Sequence, residues 1–341
     1  MIDFFPALRR QFICSLFILL IFPLINGSSA YLQAHQHSIV EGFTIFYKEP
    51  MGTPKGVILL FHGCNHDPQD WFQLPGECIF VNAALRAGLV ALAVPSRDRK
   101  GSRCWHPLKD AERVVALGRI FVRKRWPNVP LYGAGASSGG TFVAWLSNTG
   151  GVNFSAVAVY VSIGVPPFED ISRKHAPTAF VVMSEDSHMA SEAHIAIQQR
   201  RLLQHGTNST VFVCTPKLIT VSWIRQMYPP WTLKYSAALV HHLQKLNVID
   251  YQGALLVDPR SKEDVWMRAT EEAELDTDTF QSAAPASEVL RELLNIAWAE
   301  HEMTGEYASK VVAFLTMPHS LLKGHPGTAA GAHSRVIRLN G

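Results

Sequence analysis

A serine flanked by glycines carries the strongest chemical signal in this sequence. Residues 131–140 read LYGAGASSGG and contain Gly-x-Ser-x-Gly at Gly135, Ser137 and Gly139. A serine on a sharp turn from a strand to a helix exposes its hydroxyl, and the glycines allow the backbone to crowd together there. An apolar segment precedes the motif, and a helix-compatible segment, Thr141 to Leu146, follows it. The pattern predicts that Ser137 is a nucleophile; a connecting Gly-rich loop is the alternative.

A second segment is suited to stabilise the negative charge that forms when a nucleophile attacks a carbonyl group. The apolar run Val57 to Phe61 predicts a buried parallel strand, and His62-Gly63 follows at its end. Fixed backbone N–H groups can hold an oxyanion there without reorganising. The candidate donors are the N–H groups of Cys64 and of Ser138, the residue after the nucleophile. We interpret His62 itself as a structural residue that braces the loop.

A serine hydroxyl also needs a base that accepts its proton and an acid that orients the base. For this type of serine turn, the order along the chain is serine, acid, histidine. The acid is expected after the predicted strand Thr178 to Ser184, where Glu185 and Asp186 lie. We favour Asp186 because it lies one residue further into the loop, and Glu185 is the competitor.

The predicted base is His301, within the segment Ala299 to Thr304. It lies in the break between two predicted helices, just before the last one. Positions 294, 297, 298 and 301 keep helical spacing, so a histidine on an ordinary helix face is the alternative. The competing histidines lie beside the acid, on a predicted lid helix or in the tail: His188, His241, His242, His319 and His325.

Predicted strands alternate with predicted helices in the first two thirds of the chain. Residues 38–47 indicate an edge strand or hairpin. Further strands are predicted at 57–61, 89–94, 129–134, 156–163, 178–184 and 210–214, and helices at 78–87, 108–125 and 189–203. This alternation predicts an α/β fold, with a mostly parallel sheet and helices on both of its faces. Ligands of such sheets bind beyond the carboxyl ends of the strands, where the serine turn and His62-Gly63 lie.

The alternation of strands and helices stops in residues 215–286, which we interpret as a helical lid or cap over the site. Helices are predicted at 233–246 and 266–274, and a peripheral helical extension is the alternative. An amphipathic helix is predicted at 287–299. Thr304 is expected to cap a final helix that runs to about Leu315. The folded domain is therefore predicted to span residues 31–316, and residues 317–341 are expected to form a flexible tail.

Composition narrows the class of protein. The chain has 341 residues, of which 48% are hydrophobic, so a full core is expected and global disorder is not. A net charge of +3, without a basic cluster interleaved with aromatic residues, gives no reason to expect nucleic-acid binding. The sequence has no Cys-x-x-Cys pair, so it does not predict a structural zinc site. No metal or organic cofactor is expected.

The first 30 residues are typical of a signal peptide. Arg9 and Arg10 precede the apolar run Phe12 to Ile25, and Ser28 and Ala30 supply small residues for cleavage. The run is shorter than the about 20 residues of a membrane span. We therefore expect a protein that is secreted or enters the secretory lumen, without stable membrane insertion. An uncleaved signal anchor is the alternative.

Secretion changes how the cysteines are interpreted. Four remain after signal cleavage: Cys64, Cys78, Cys104 and Cys214. They allow three pairings, and the sequence does not choose among them. A disulfide between Cys64 and Cys104 would join two loops at the site, because both follow predicted strands; four free thiols are the alternative. Glycosylation sequons begin at Asn153 and Asn208.

The chain resembles the α/β-hydrolase superfamily, and most closely a plant and algal branch of serine hydrolases. The resemblance covers roughly residues 38–316. It rests on residues 62–66, Cys104-Trp105, the serine turn 135–140, the Asp186 loop, residues 258–260 and residues 299–304. It implies a serine hydrolase with Ser137, Asp186 and His301 as its triad. The stretch between the last predicted strand and His301 is longer than is usual in this superfamily.

The favoured hypothesis is hydrolysis of a small-molecule carboxylic ester through an acyl-enzyme. Trp71, Phe72 and Trp105 are candidates to line an apolar substrate pocket, and ordinary core packing is the alternative for each. Two other functions use the same features. One is a non-catalytic ligand receptor or adhesion module on a hydrolase scaffold, since a fold does not fix a function. The other is acyl transfer to an alcohol. The sequence predicts no particular protein partner.

Overall fold

A nine-stranded sheet forms the centre of the computed structural model, which describes residues 34–39, 43–167, 169–172, 174–187, 190–275, 284–319 and 336–338. Its strands are β1 (His35–Ile39), β2 (Phe43–Lys48), β3 (Gly56–Phe61), β4 (Leu89–Val94), β5 (Leu131–Ala136), β6 (Ala156–Tyr160), β7 (Thr178–Met183), β8 (Ser209–Cys214) and β9 (Val336–Arg338). They lie in the order β1-β2-β4-β3-β5-β6-β7-β8-β9. β2 is antiparallel to β1 and β4, and the other neighbours are parallel. The order and the serine turn after β5 confirm the α/β-hydrolase fold.

Helices cover both faces of this sheet. They are α1 (Pro75–Arg86), α2 (Pro107–Leu117), α3 (Arg123–Arg125), α4 (Ser138–Thr149), α5 (Glu192–Gln204), α6 (Val221–Met227), α7 (Leu233–Lys245), α8 (Glu263–Leu275), α9 (Ala286–Trp298) and α10 (Ala308–Thr316). A π-helical turn, Gly118–Val122, joins α2 to α3, so the helix predicted at 108–125 is not regular throughout. α6 is missing from the sequence prediction. α10 begins at Ala308, so the expected cap at Thr304 is wrong.

Alternating side chains of the central strands enter two separate cores. In β3, Val57, Leu59 and Phe61 pack in the core that includes Phe142 of α4. Ile58 and Leu60 face the other core, which α1, α9 and α10 cover. Every residue of β3 and β4 is buried. Burial on both faces explains why these strands are continuous apolar runs in the sequence.

The segment predicted as a lid, residues 215–286, is joined to the main core. Trp231, Tyr235 and Trp266 are fully buried in the same cluster as side chains of α1 and α9. The backbone N–H of Lys217 donates to the carbonyl of Ala297 at 2.9 Å. The segment therefore packs beside the helix that leads to His301, and its role as a lid stays a prediction.

Both ends of the chain lie largely outside the described residues. The predicted signal peptide, the Arg9–Arg10 pair and His325 are among the residues that the structure does not describe, as is His188. β9 lies in the segment predicted as a flexible tail, and it pairs with β8. In the described ranges, no helix combines the length and the apolar character needed to cross a membrane.

Candidate active site

Ser137 lies on the sharp turn between β5 and α4. Its φ of 51° and ψ of −116° place it in a backbone conformation that residues other than glycine rarely adopt. A Cβ atom on Gly135 would lie 2.2 Å from the carbonyl oxygen of Gly139, and one on Gly139 would lie 2.2 Å from that of Phe61. Only glycine fits at both positions, because Gly135 packs against the start of α4 and Gly139 packs against the end of β3. The spacing of the motif is therefore a consequence of this packing.

The imidazole of His301 reaches the hydroxyl of Ser137. His301 Nε2 lies 3.0 Å from Ser137 Oγ, although the two residues are 164 positions apart. Helix α9 ends at Trp298, and Ala299 and His301 both have positive φ, 58° and 38°. His301 therefore lies in the predicted break between helices. The alternative of a histidine on a regular helix face is wrong.

Asp186 is the carboxylate that the structure brings to His301. Its Oδ2 lies 2.8 Å from His301 Nδ1, and the residue is 1% exposed. Glu185 is exposed instead, and its carboxylate accepts a hydrogen bond from the hydroxyl of Ser184. Because an ionised carboxylate only accepts, it favours a proton on Nδ1 and leaves the lone pair of Nε2 toward Ser137.

The loop after β3 passes directly beside the serine. A Cβ atom on Gly63 would lie 3.7 Å from Ser137 Cβ, which is van der Waals contact. Cys64 follows in this loop. Ser138 is the first residue of α4, so its N–H has no acceptor within the helix. The two predicted oxyanion donors thus belong to chain segments that flank Ser137.

A disulfide joins this loop to the loop after β4. It links Cys64 to Cys104, which is one of the pairings that the sequence left open. Cys78 and Cys214 are free cysteines. The N–H of Asn65 donates to the carbonyl of Ser102 at 2.6 Å beside the disulfide. The loop that carries Cys64 is therefore fixed by a covalent bond and a neighbouring hydrogen bond.

His62 is a structural residue, as predicted. Its Nδ1 donates to the carbonyl of Gly63 at 2.7 Å, and its Nε2 accepts from the N–H of Ser96 at 3.2 Å. Burial lowers the pKa of His62 to about 4, so the ring is neutral at physiological pH. A neutral ring can donate at one nitrogen and accept at the other, as both bonds require.

The tryptophans proposed as pocket walls are packed in the cores. Trp71 is 1% exposed and packs against Phe80, with ring centroids 5.9 Å apart. Trp105 is 6% exposed and stacks on Phe142 at 4.6 Å. Phe72 is also buried. These contacts match the alternative of ordinary packing, and they do not support a role in binding substrate.

A buried group of carboxyls lies next to the histidine loop, and sequence reasoning missed it. The N–H of Gly76 donates to Glu292 Oε1 at 2.7 Å. Burial raises the pKa of Glu77 to about 7 and the pKa of Glu292 well above its usual value. The two carboxyl groups share this interior site, and the charge of Glu77 raises the pKa of Glu292 further. Glu302, beside His301, accepts from the Asn295 amide at 2.9 Å. Only contacts between distant segments reveal this group, so local sequence patterns carry no signal for it.

In the loop after β3, the pKa of His66 is raised to about 9. Burial alone would lower it, but the hydrogen bond to Asp70 and the charges of Glu302 and Glu77 outweigh that effect. His66 is therefore cationic at neutral pH. Within the described part of the chain, no cluster of three or more His, Cys, Asp or Glu residues has a geometry suited to a metal ion.

Comparisons with solved structures give distant neighbours. TT1662 from Thermus thermophilus is 17% identical, with a TM-score of 0.42, and the match covers 55% of this chain and 90% of that chain. Butyrate-bound esterase 2 from Thermogutta terrifontis is 13% identical, with a TM-score of 0.42, over 54% and 83% of the two chains. A serine hydrolase homologue from Coxiella burnetii is 14% identical, with a TM-score of 0.42, over 54% and 88%. No protein-family model matches the sequence, and no curated protein matches it significantly. At this similarity the neighbours do not define a substrate, and the strand order and serine turn identify the fold.

Proposed function

We propose that this protein is a serine hydrolase that cleaves carboxylic esters of small molecules through an acyl-enzyme. The observation that carries the proposal is the continuous hydrogen-bonded chain from Ser137 through His301 to Asp186, with distances of 3.0 and 2.8 Å. A nucleophile, a base and an orienting acid in this arrangement are the minimum set for acyl transfer to serine. The strained backbone of Ser137 holds its hydroxyl at the carboxyl end of the sheet.

In the acylation step, Ser137 Oγ attacks the ester carbonyl while His301 Nε2 accepts the hydroxyl proton. The carbonyl oxygen becomes an oxyanion, to which the N–H groups of Cys64 and Ser138 donate. Asp186 stabilises the imidazolium that forms. The tetrahedral intermediate then expels the alcohol, which takes the proton from His301. Ser137 is left as an ester of the acyl group.

Deacylation repeats these steps with water as the nucleophile. His301 Nε2 removes a proton from water, and the resulting hydroxide attacks the acyl-enzyme carbonyl. The same two N–H groups hold the second oxyanion. Collapse of this intermediate breaks the bond to Ser137 Oγ, which recovers its proton from His301. The carboxylic acid leaves, and the free enzyme is restored.

A secretory location is part of the proposal. The disulfide between Cys64 and Cys104 supports it, because disulfides form and persist in oxidising compartments. The predicted signal peptide leads to the same compartment. Expression of the full chain in a secreting eukaryotic host tests this part. Release of a chain that begins near residue 31 is expected, and retention of an intact N-terminus in the membrane fraction would contradict it.

A panel of p-nitrophenyl esters, from acetate to decanoate, tests the proposed activity. The wild-type protein should hydrolyse at least one ester, and Ser137→Ala should reduce the rate to the uncatalysed background. Ser222→Ala is the matched control, because Ser222 is an exposed serine on α6. Its rate should equal that of the wild type. If folded wild-type protein cleaves none of these esters, the ester-hydrolase proposal is wrong and a ligand receptor is the better hypothesis.

A further inference from the structure

Arg260 lies on a rigid turn inside the segment predicted as a lid. The carboxylate of Asp258 accepts a hydrogen bond from the N–H of Arg260 at 2.9 Å, and the hydroxyl of Ser261 donates to the carbonyl of Asp258 at 2.8 Å. The indole N–H of Trp266, which is fully buried, donates to the carbonyl of Pro259 at 2.8 Å. The backbone of Arg260 is thereby anchored to the core.

From this turn, the guanidinium group of Arg260 reaches the backbone carbonyls of two successive residues, Glu300 and His301. Its Nη2 donates to the carbonyl of Glu300 at 2.7 Å and to that of His301 at 3.1 Å. Its Nη1 lies 3.1 Å from the carboxylate of Glu300. The planar fork of arginine suits several simultaneous acceptors, which a single ammonium group cannot match. The Arg260 side chain is 35% exposed, so solvent reaches this clamp.

The backbone at His301 needs such support. Ala299 and His301 both adopt positive φ, which costs conformational energy in residues other than glycine and persists only where the surroundings enforce it. Helix α9 has ended at Trp298, so the carbonyls of residues 300 and 301 have no place in its regular hydrogen bonding. The N–H of Glu185 holds the carbonyl of Ala299 at 3.0 Å. Arg260 holds the two residues that follow.

We infer that Arg260 is a positioning residue that fixes the backbone of His301, and so keeps its imidazole within reach of Ser137. The inference rests on the proposed function. It gives the segment 215–286 a task in the reaction, because this segment supplies the clamp on the catalytic base. It also accounts for the long stretch between β8 and His301, part of which carries the turn at Arg260.

Loss of the clamp should act on the rate of the chemical step. A misplacement of about 1 Å can cost about 100-fold in rate, because the reacting groups no longer meet in line. Arg260→Ala should therefore lower kcat by about 10- to 100-fold. KM should change less than about two-fold, since the guanidinium donates to the histidine loop and to no predicted substrate-binding group. Arg260→Lys should give an intermediate kcat, because an ammonium group replaces the fork by a point charge.

Chemical rescue separates this role from a purely structural one. Millimolar guanidinium chloride should restore part of the kcat of Arg260→Ala and should leave the wild type unchanged. Arg268→Ala is the matched control, because Arg268 lies on α8 in the same segment, its side chain is 61% exposed, and it pairs with Glu272 one turn along the same helix. It should keep the kcat of the wild type and show no rescue.

Each outcome distinguishes the inference from the proposed function. If the wild type hydrolyses no ester, the proposed function fails first. If the wild type is active and Arg260→Ala retains its kcat, Arg260 does not position the base. If both Arg260 variants lose kcat in proportion to a lower melting temperature, and guanidinium restores nothing, the role is structural and the inference is overturned.

Discussion

Replacing Cys104 with serine should weaken both the folded state and the hydrolysis of esters. Cys104 is bonded to Cys64, whose N–H is one of the two proposed oxyanion donors. The bond joins the loops after β3 and β4 at the carboxyl end of the sheet. Breaking it releases the first loop from its covalent support, so both the unfolding free energy and kcat should fall.

The size of each effect can be worked out from the contacts. The disulfide spans a sequence separation of 40 residues. In the chain-entropy treatment, a closed loop of this length stabilises the folded state by about 4 kcal/mol. Complete loss of one oxyanion donor costs about 100- to 1,000-fold in kcat. The Asn65 to Ser102 hydrogen bond and the ion pair of Arg103 with Asp67 still join the loops. We therefore expect a smaller fall in kcat, of about ten-fold.

Urea unfolding and steady-state kinetics on one p-nitrophenyl ester measure the two effects. Wild-type protein in dithiothreitol should behave like Cys104→Ser, and KM should stay nearly constant. Cys78→Ser is the matched control, because Cys78 is a free cysteine. It should match the wild type in each condition, with full kcat in the absence of reductant and the same reduced kcat in dithiothreitol. If Cys104→Ser is less stable but retains the full kcat, the disulfide does not position an oxyanion donor, and the reasoning is refuted.

Two further predictions concern carboxyl groups. Asp186→Asn should lower kcat about 10⁴-fold by favouring the wrong histidine tautomer, whereas Glu185→Gln should change it less than two-fold in the same kinetic assay. Thermal stability should decrease as the pH rises from about 5 to about 7, since burial raises the folded-state pKa of Glu77 to about 7 and raises that of Glu292 well above its usual value. The folded state then binds more protons than the unfolded chain, so this stability is present below about pH 4.5 and is lost as the pH rises through 7. Glu292→Gln should flatten the dependence of the melting temperature on pH, and exposed Glu288→Gln should not; equal slopes for all three proteins would contradict the buried pair.

The sheet was predictable because its strands are buried on both faces. The prediction for β4, Leu89–Val94, agrees with the structure at both ends, since the unbroken apolar run is bounded by Gly88 and Pro95. The turn at Ser137 was predictable because it requires glycines at fixed spacing. Asp186 and His301, which the structure brings together with Ser137, were proposed from the serine, acid, histidine order expected for this type of turn, although no local pattern links them.

Features that depend on contacts between distant segments could not be predicted. Arg260 meets the carbonyl of Glu300 across 40 positions, and Gly76 meets Glu292 across 216. Neither pair leaves a periodic pattern in the sequence. The cysteines allowed three pairings, and only the relative positions of the loops select Cys64 with Cys104. The sequence could not decide the role of Trp105, because an aromatic residue near a site has the same sequence signal whether it binds substrate or packs in the core.

The most direct test of the account is the reaction of the folded protein with a fluorophosphonate, followed by peptide mass spectrometry. Such probes phosphonylate an activated serine and release fluoride. We predict one adduct, on Ser137, whose formation slows by orders of magnitude in His301→Ala when circular dichroism shows an intact fold. The absence of an adduct on folded wild-type protein, or an adduct on another serine, would contradict the proposed nucleophile.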